Sequence, residues 1–330
     1  MKRIITADTH LSIYGNDKLK EGISERLYDI FSMLKVIAQY ALEHRITEIN
    51  IIGDVFNDKD IIYTKSMVLL TTFLEKYRNL NFVLLTGNHD LDNTSEDQVS
   101  ILQSIDYENV TCIIAPVTFN NITYIPYSRN VVKDVETAEP NDILISHFGL
   151  NEGVLNSGIS MISDIGIKQL KNFKLVLLGH YHKPQQMTNG VTNLWYTGSP
   201  IQKDWGEKHD EKRFLVLDDV TLEVESIPLK GYTKYIELVI EEDSDVKEII
   251  EKSKELRSEG HHVRVRNKGK KGVEADDIQI INEVEEDITN RGIDLSMSLT
   301  EKAQKYMEIK EIPEEEHKKY MTVLKQTLNS

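Results

Sequence analysis

Five short polar blocks constrain this chain more than any other feature: Asp8-Thr9-His10, Gly53-Asp54, Gly87-Asn88-His89-Asp90, His147 and Gly179-His180-Tyr181-His182. Each follows directly on a run of strand length and mostly apolar character, at residues 3–7, 48–52, 82–86, 143–146 and 175–178. Short apolar runs of this kind read as strands buried on both faces, as in a parallel sheet. In an open α/β sheet the carboxyl ends of such strands open into one crevice. A fold that turns these five ends to the same side gathers two Asp, one Asn and several His, which is a ligand set for two cations.

The segments between the blocks fit that architecture. Ile23, Leu27, Ile30, Phe31, Leu34, Ile37, Ala38 and Ala41 form a stripe of helical period within residues 23–44, and residues 64–77 also read as a helix. Further strands are expected at 121–125, 193–196 and 213–217. The predicted fold class is α/β, two packed sheets flanked by helices. Composition shifts after Pro228-Leu229-Lys230-Gly231, which reads as a linker. Beyond it, strands at 234–240 and 262–266, a helix at 244–258 and an apolar segment at 278–285 predict a small α+β domain of βαβ type. Ser298-Leu299-Thr300-Glu301 is a capping-box pattern, and a second tail helix is expected from Pro313 with Tyr320, Met321, Leu324 and Leu328 on one side. The domain boundaries expected are 1–228, 232–295 and 298–330.

Bulk properties narrow the function. The length of 330 residues suits one large domain and a smaller one, and 40% hydrophobic content supports a proper core. A net charge of −15 disfavours attachment to nucleic acid by bulk attraction alone, although local patches and bound cations can reverse the field at a site. Cys112 is the only cysteine, so no intrachain disulfide can form and thiolates cannot dominate a metal site; a reducing, cytoplasmic setting is expected. No secretory leader is expected at the N-terminus. No apolar run approaches the roughly 20 residues of a membrane helix.

Hydrolysis of a phosphoester needs a nucleophilic water of lowered pKa and relief of charge on the phosphoryl oxygens, and two metals about 3.5–4 Å apart supply both. Asp54 is the natural bridging carboxylate. Asp8 and His10 are spaced to share one side of an extended strand end, and so are His180 and His182. Asn88 offers an amide oxygen and His147 an imidazole. This oxygen and nitrogen set suits Mn²⁺, Fe or Zn²⁺. His89, beside Asn88, is placed to stabilise the transition state or protonate the leaving oxygen, with Asp90 orienting its ring.

These blocks resemble the motifs of the calcineurin-like metallophosphoesterases. Within that superfamily Ala7-Asp8-Thr9-His10-Leu11, Arg26 with Phe31, Gly53-Asp54-Val55-Phe56 and Tyr196-Thr197-Gly198-Ser199-Pro200 resemble the SbcD-type nuclease branch, over residues 1 to about 225. The resemblance implies a two-sheet metallophosphoesterase sandwich. It implies one metal held by Asp8, His10, Asp54 and His182, a second held by Asp54, Asn88, His147 and His180, and His89 as the catalytic histidine. It further implies two divalent metal ions, usually Mn²⁺, action on DNA double-strand ends in repair or recombination, a capping domain at 232–295, and a tail at 298–330 that docks on an SbcC-type coiled-coil ATPase. A homodimer is expected on the same ground. Ser12 stands where this branch usually has Gly, and Asn57 where it usually has an acidic residue.

Two other readings share the scaffold: a phosphatase or small-nucleotide phosphodiesterase, and a non-catalytic DNA-bridging scaffold. The sequence Asn57-Asp58-Lys59 and Asp90 argue against the protein-phosphatase branch, where Asp-Arg-Gly and Glu are expected. Arg264, Arg266, Lys268, Lys270 and Lys271 form the densest basic stretch, readable as a phosphate-contacting loop or as an exposed hairpin. Trp205 and Tyr196 could stack on bases or anchor a core.

Overall fold

The structure, a computed structural model, describes residues 1–15, 17–92, 98–155, 163, 165–269, 272–275, 277–283, 297–310, 312, 313, 315–317 and 319–321. In chain order its strands and helices are β1 (Lys2–Thr6), β2 (Leu19–Lys20), β3 (Ile23–Ser24), α1 (Glu25–Glu43), β4 (Glu48–Ile52), α2 (Thr64–Lys76), β5 (Asn81–Leu85), β6 (Val110–Ile113), β7 (Val117–Phe119), β8 (Ile122–Ile125), α3 (Val131–Thr137), β9 (Ile143–His147), β10 (Leu175–Gly179), β11 (Gln185–Thr188), β12 (Asn193–Tyr196), β13 (Arg213–Asp218), β14 (Val224–Pro228), β15 (Tyr235–Ile240), α4 (Val246–Ser258), β16 (His262–Asn267), β17 (Gln279–Asn282) and α5 (Leu299–Ile309). They fall into two compact units, Met1–Ile236 with Gly260–His262, and Glu237–Glu259 with Val263–Ser330.

The larger unit holds two six-stranded sheets, in the orders β14-β13-β1-β4-β5-β6 and β11-β12-β10-β9-β8-β7. In the first, β1, β4, β5 and β6 run parallel, and β13 and β14 are antiparallel additions. In the second, β8, β9, β10 and β12 run parallel between antiparallel edges β7 and β11.

Strand periodicity divides the buried side chains into layers. Ile5, Val83, Leu85, Tyr124, Ile145, Leu177 and Leu215 share one cluster drawn from both sheets. Their strand neighbours Ile4, Ile51, Leu84 and Phe214 cluster instead with the α1 residues Leu27, Ile30, Phe31, Leu34 and Ile37. On the other side Leu144, Val176, Leu178 and Leu194 cluster with Val131 and Val135 of α3. Both faces of both sheets are therefore covered, which is why their strands read as continuous apolar runs. One polar thread crosses the layer between the sheets: the Tyr124 hydroxyl donates to Asn50 Oδ1 at 2.9 Å, and the Asn50 amide donates to Glu48 at 3.0 Å. Glu48 is also paired with buried Arg3.

The expected α/β class holds, with local differences. The first helix begins at Glu25, because Ser24 caps it and Ile23–Ser24 pair with Leu19–Lys20. Strands β6, β7, β11 and β14 and the seven-residue α3 lie outside the sequence reading. They are short, and β6, β7 and β14 are partly exposed edge or near-edge strands with weak hydrophobic contrast. Pro228, read as the start of the linker, ends β14, where an edge strand tolerates a residue without an N–H.

In the smaller unit the third sheet has the order β15-β16-β17, with β16 and β17 parallel. Ile240, Val265 and Ile278 form its core, with Val246, Ile249 and Ile250 of α4 packed against them. The Asp245 side chain caps α4 through the N–H groups of Lys247 and Glu248. The described part of the basic stretch is paired: Arg264 and Arg266 both reach Glu237, Arg266 also bonds Glu283, and Lys268 lies 3.5 Å from Glu241. Ser298 and Glu301 make the expected capping box at the start of α5. Residues 315–317 and 319–321 are helical. Lys270, Lys271, residues 284 and 285, Leu324 and Leu328 lie outside the described residues. Among the described residues no helix is long and apolar enough to cross a membrane.

Candidate metal centre

The parallel strands β1, β4, β5, β9 and β10 deliver the five blocks from their carboxyl ends. The β1 and β4 loops are stitched together by main-chain bonds from Asp8 N to Gly53 O, His10 N to Asp54 O and Leu11 N to Val55 O, at 3.1, 2.8 and 2.8 Å. Asp8, His10, Asp54 and His180 all sit at positive φ, at 54°, 46°, 51° and 94°. Each such residue costs about 1–3 kcal/mol, a cost that the surrounding sheets have to cover. The reward is direction, since all four side chains are turned toward one point instead of alternating.

Two glycines make the close approach possible. Gly53 has φ 92°, and a Cβ there would lie 2.0 Å from His147 Nδ1. A Cβ on Gly87 would lie 2.2 Å from Asp54 N and 2.3 Å from Asp54 Oδ1. The β4 and β5 loops and the His147 ring can share this space only without those side chains.

The side chains converge around Asp54. Its Oδ1 is 3.3 Å from His147 Nε2, and its Oδ2 is 3.4 Å from His10 Nε2. Asp8 Oδ1 lies 4.0 Å from His147 Nε2, and the Asp8 carboxylate accepts from the main-chain N–H of His180 at 3.0 and 3.2 Å. His10 Nε2 and His182 Nε2 face one another at 3.1 Å. Across the cluster, His180 Nδ1 is 2.9 Å from Asn88 Oδ1, and the His147 and His180 rings meet edge to face. Donor atoms of Asp8, His10 and His182, of Asp8, Asp54 and His147, and of His10, Asp54 and His89 lie within 4.8 Å of one another, group by group. The seven residues expected as ligands are thus brought together, with Asp54 between two groups.

This donor set fits divalent cations. Asp8, His10, Asp54 and His147 are all buried. His147 Nδ1 faces Ile52 O at 2.9 Å, which turns Nε2 toward Asp54 Oδ1 at 3.3 Å, and among the described residues Nε2 makes no hydrogen bond of good geometry. Two imidazole nitrogens 3.1 Å apart need a proton or a metal between them. Burial and the Lys203 ammonium hold the His10 imidazole well below its ordinary range. Burial and the neighbouring His147 push His180 down to about 3. Both rings therefore keep free lone pairs at neutral pH. Burial opposes charge on Asp54, yet His147 and His10 outweigh it and hold the carboxylate ionised. His147 is held up at about 9: burial works against its charge, and Asp54 and Asp8 overcome it.

His89 stands at the rim of the cluster. Its main-chain N–H donates to Asp54 Oδ1 at 2.8 Å, its ring lies edge-on to His10, and it lines a cavity of about 300 Å³ together with His10, Asp54, Asn88, His180 and His182. Asp90 requires a correction. It does not orient the His89 ring, whose Nδ1 faces Asn57 O. Asp90 is fully buried and accepts from Val55 N, Phe56 N and Gly87 N at 3.2, 2.9 and 2.8 Å. It ties the β4 loop to the β5 loop and has no path to a reacting atom. The backward turn of the chain after His89 puts its carboxylate under the loops, which spacing alone could not show.

Of the other residues at the site, Arg26 is part of the resemblance, while Glu207, Lys203 and Lys212 carry no sequence signature. Glu207, in the turn after Asp204, accepts from His182 Nδ1 at 2.9 Å, from Lys212 at 2.7 Å and from the main-chain N–H of Lys203 at 3.1 Å. Burial would raise its carboxyl, but the His182 bond and the Lys212 charge hold it down at about 2. A carboxylate behind a histidine fixes ring orientation and tautomer. Lys203, Tyr14, Arg26 and Asp204 complete the cavity lining, and Arg26 lies 4.0 Å over the Tyr14 ring. Tyr196, read as a possible stacking residue, is fully buried with its hydroxyl on Phe148 O and cannot meet a base. Phe31 belongs to the core.

The match to a family model agrees with this geometry. Residues 1–184 match the family model described as calcineurin-like phosphoesterase. No curated protein matches the chain. Among solved structures, it is similar to an archaeal phosphodiesterase (14% identity, TM-score 0.36, covering 69% of this chain and 100% of that one). It is also similar to a dimetal phosphatase from Danio rerio (10%, 0.43, 69% and 99%) and to the nuclease MPE of Pseudomonas putida (14%, 0.33, 69% and 87%).

Proposed function

This chain belongs to the calcineurin-like phosphoesterase family, and within it we propose a metal-dependent DNA nuclease that acts on double-strand ends with an SbcC-type ATPase partner. The observation that carries the phosphoesterase part is Asp54, set between His10 and His147 at 3.4 and 3.3 Å, at the mouth of an open cavity. Support for DNA as the substrate is the resemblance of Ala7–Leu11, Gly53–Phe56 and Tyr196–Pro200 to the nuclease branch.

In this reading Asp8, His10, Asp54 and His182 would hold one ion, and Asp54, Asn88, His147 and His180 would hold the other, with Mn²⁺ the metal that the resemblance favours. When bound, the ions lower the pKa of the attacking water and offset charge on the phosphoryl oxygens. The chain supplies the rest. Asp54 aligns the two halves of the centre, and Glu207 and Ile52 O fix the tautomers of His182 and His147. His89, at the open edge with one nitrogen turned to Asn57 O, presents the other to the leaving oxygen and protonates it. Helix α5 leaves Tyr306 and Ile309 half exposed, which suits docking on an apolar partner surface.

One observation favours a smaller substrate. Of the basic stretch of the second unit, Arg264, Arg266 and Lys268 face Glu237, Glu241 and Glu283, so these three are less free for a DNA backbone. The same experiment addresses both readings. The purified chain with Mn²⁺ is given end-labelled duplex DNA, single-stranded DNA and bis(p-nitrophenyl) phosphate, beside an Asp54→Ala control. DNA cleavage that requires both metal and Asp54 is expected. Hydrolysis of the small diester with intact DNA, unchanged on adding the ATPase, overturns the nuclease reading and leaves the small-phosphodiester one. Truncation after residue 297 is expected to abolish ATPase binding while small-diester hydrolysis persists.

A further inference from the structure

Two lysines are buried beside the metal centre, and their surroundings differ. Lys212, fully buried, is saturated: its ammonium donates to His182 O and Ser199 Oγ, both at 3.0 Å, and pairs with Glu207 at 2.7 Å. Lys203 is 8% exposed and lines the cavity, and its main chain is fixed by Glu207. Among the described residues its ammonium has no carboxylate within ion-pair distance. Its one polar neighbour is His182 Nε2 at 3.4 Å. A cation held by His182 would take that lone pair, and Lys203 would then have no hydrogen-bond acceptor among the described residues. Glu207, Asp8 and Asp54 act on this ammonium only from beyond ion-pair distance; a buried ammonium with no carboxylate in contact is costly, so a cavity that retains one suits an anion that arrives with the ligand.

We propose that Lys203 is a phosphoryl-binding residue of this centre, its ammonium donating to a non-bridging oxygen of the substrate phosphoester. The inference rests on the phosphoesterase reading above and adds a substrate contact from the protein itself. A compact ammonium on a flexible stem suits a single oxygen, whereas the Arg26 guanidinium in the same lining is taken up by Asp17 at 2.8 Å. Nothing in the spacing of Lys203 from Gly198-Ser199-Pro200 identifies it, because it depends on the fold of the turn that also carries Glu207.

The test compares wild type with Lys203→Met, which keeps the apolar stem, and Lys203→Arg, which restores the charge. Three measurements on the Mn²⁺-loaded protein are needed: metal content, calorimetric binding of inorganic phosphate, and kinetics on bis(p-nitrophenyl) phosphate. Lys203→Met is expected to hold the same metal, bind phosphate at least tenfold more weakly and raise KM at least tenfold with a smaller change in kcat. Lys203→Arg is expected to recover part of both. Wild-type phosphate affinity in Lys203→Met at equal metal content overturns the proposal, as does loss of metal or of melting temperature with phosphate affinity intact. Should Lys203→Met not fold, Lys203→Gln takes its place with the same criteria. A wild type that hydrolyses the small diester and spares DNA sinks the nuclease reading alone. A Lys203→Met protein equal to wild type sinks this proposal alone.

Discussion

Glu207→Gln is the substitution that most directly tests the support behind the metal centre. It keeps the side-chain shape and removes the charge. In the parent the carboxylate, 1% exposed, serves His182, Lys212 and the Lys203 N–H at once, and Lys212 is fully buried. An amide presents one acceptor oxygen and a competing NH₂, so Lys212 keeps its burial and loses its nearer counter-charge, with only Asp210 left at 3.4 Å. Breaking a buried pair from one side costs about 3–5 kcal/mol. The position of the Glu207 carboxyl gives a second figure: held at about 2 instead of its ordinary 4.5, it is worth about 3 kcal/mol at neutral pH. Because the folded value lies below the unfolded one, this stability is present above about pH 4.5 and lost as pH falls toward 2. For a unit of this size, 3 kcal/mol corresponds to a melting point about 6–12 °C lower. Calorimetry on metal-free protein at pH 7 reads it, and a metal titration should show affinity reduced about 10–100-fold. The double variant Glu207→Gln, Lys212→Met should recover part of the melting temperature, since the stranded ammonium is gone. A single variant that melts within 1–2 °C (about 0.5 kcal/mol) of its parent would refute the argument.

Three more outcomes follow from the same structure. His89→Ala should retain both metals and lose about 10²–10⁴ in kcat, checked by metal analysis beside steady-state rates; turnover within threefold of wild type removes its role as acid. Gly53→Ala, whose Cβ would lie 2.0 Å from His147 Nδ1 at a φ of 92°, should lose metal and at least about 3 kcal/mol, and an unchanged melting curve with full metal content would contradict the packing described. The Cys112 thiol, raised by burial and by Asp106 to about 11, should alkylate with iodoacetamide at pH 8 about a hundredfold more slowly than the unfolded chain; equal rates would show that the site opens freely.

The sequence made the fold legible where both faces of a strand are covered. Residues 3–7, 48–52, 82–86, 143–146 and 175–178 are mostly apolar on both faces, so their strands and the blocks beyond them could be located. Short edge strands such as β7 and β11 carry only half of that signal, and α3 is too short to show a period. The candidate ligand residues were visible because each stands next to a strong strand. Glu207, Lys212 and Lys203 were not, since they come from a turn between β12 and β13 and reach the centre only through tertiary packing. Asp90 shows the converse limit: its proximity in sequence to His89 suggested a partnership, while the chain direction put its carboxylate on three main-chain N–H groups.

Strand β1 is enclosed on one side by β4 and on the other by β13, with Ile4 opposite both Ile49 and Val216. Its second neighbour is therefore made more than two hundred residues later. A ribosome releasing this chain exposes Asp8 and His10 early, yet their sheet lacks one flank and their cluster lacks His182 until the far side of the unit has emerged. Loop closure of that length is slow and strongly cooperative. The consequence is a built-in delay between synthesis and activity: a partly made chain has neither a finished sheet nor the full set of candidate ligands, so hydrolytic competence arrives together with the completed unit.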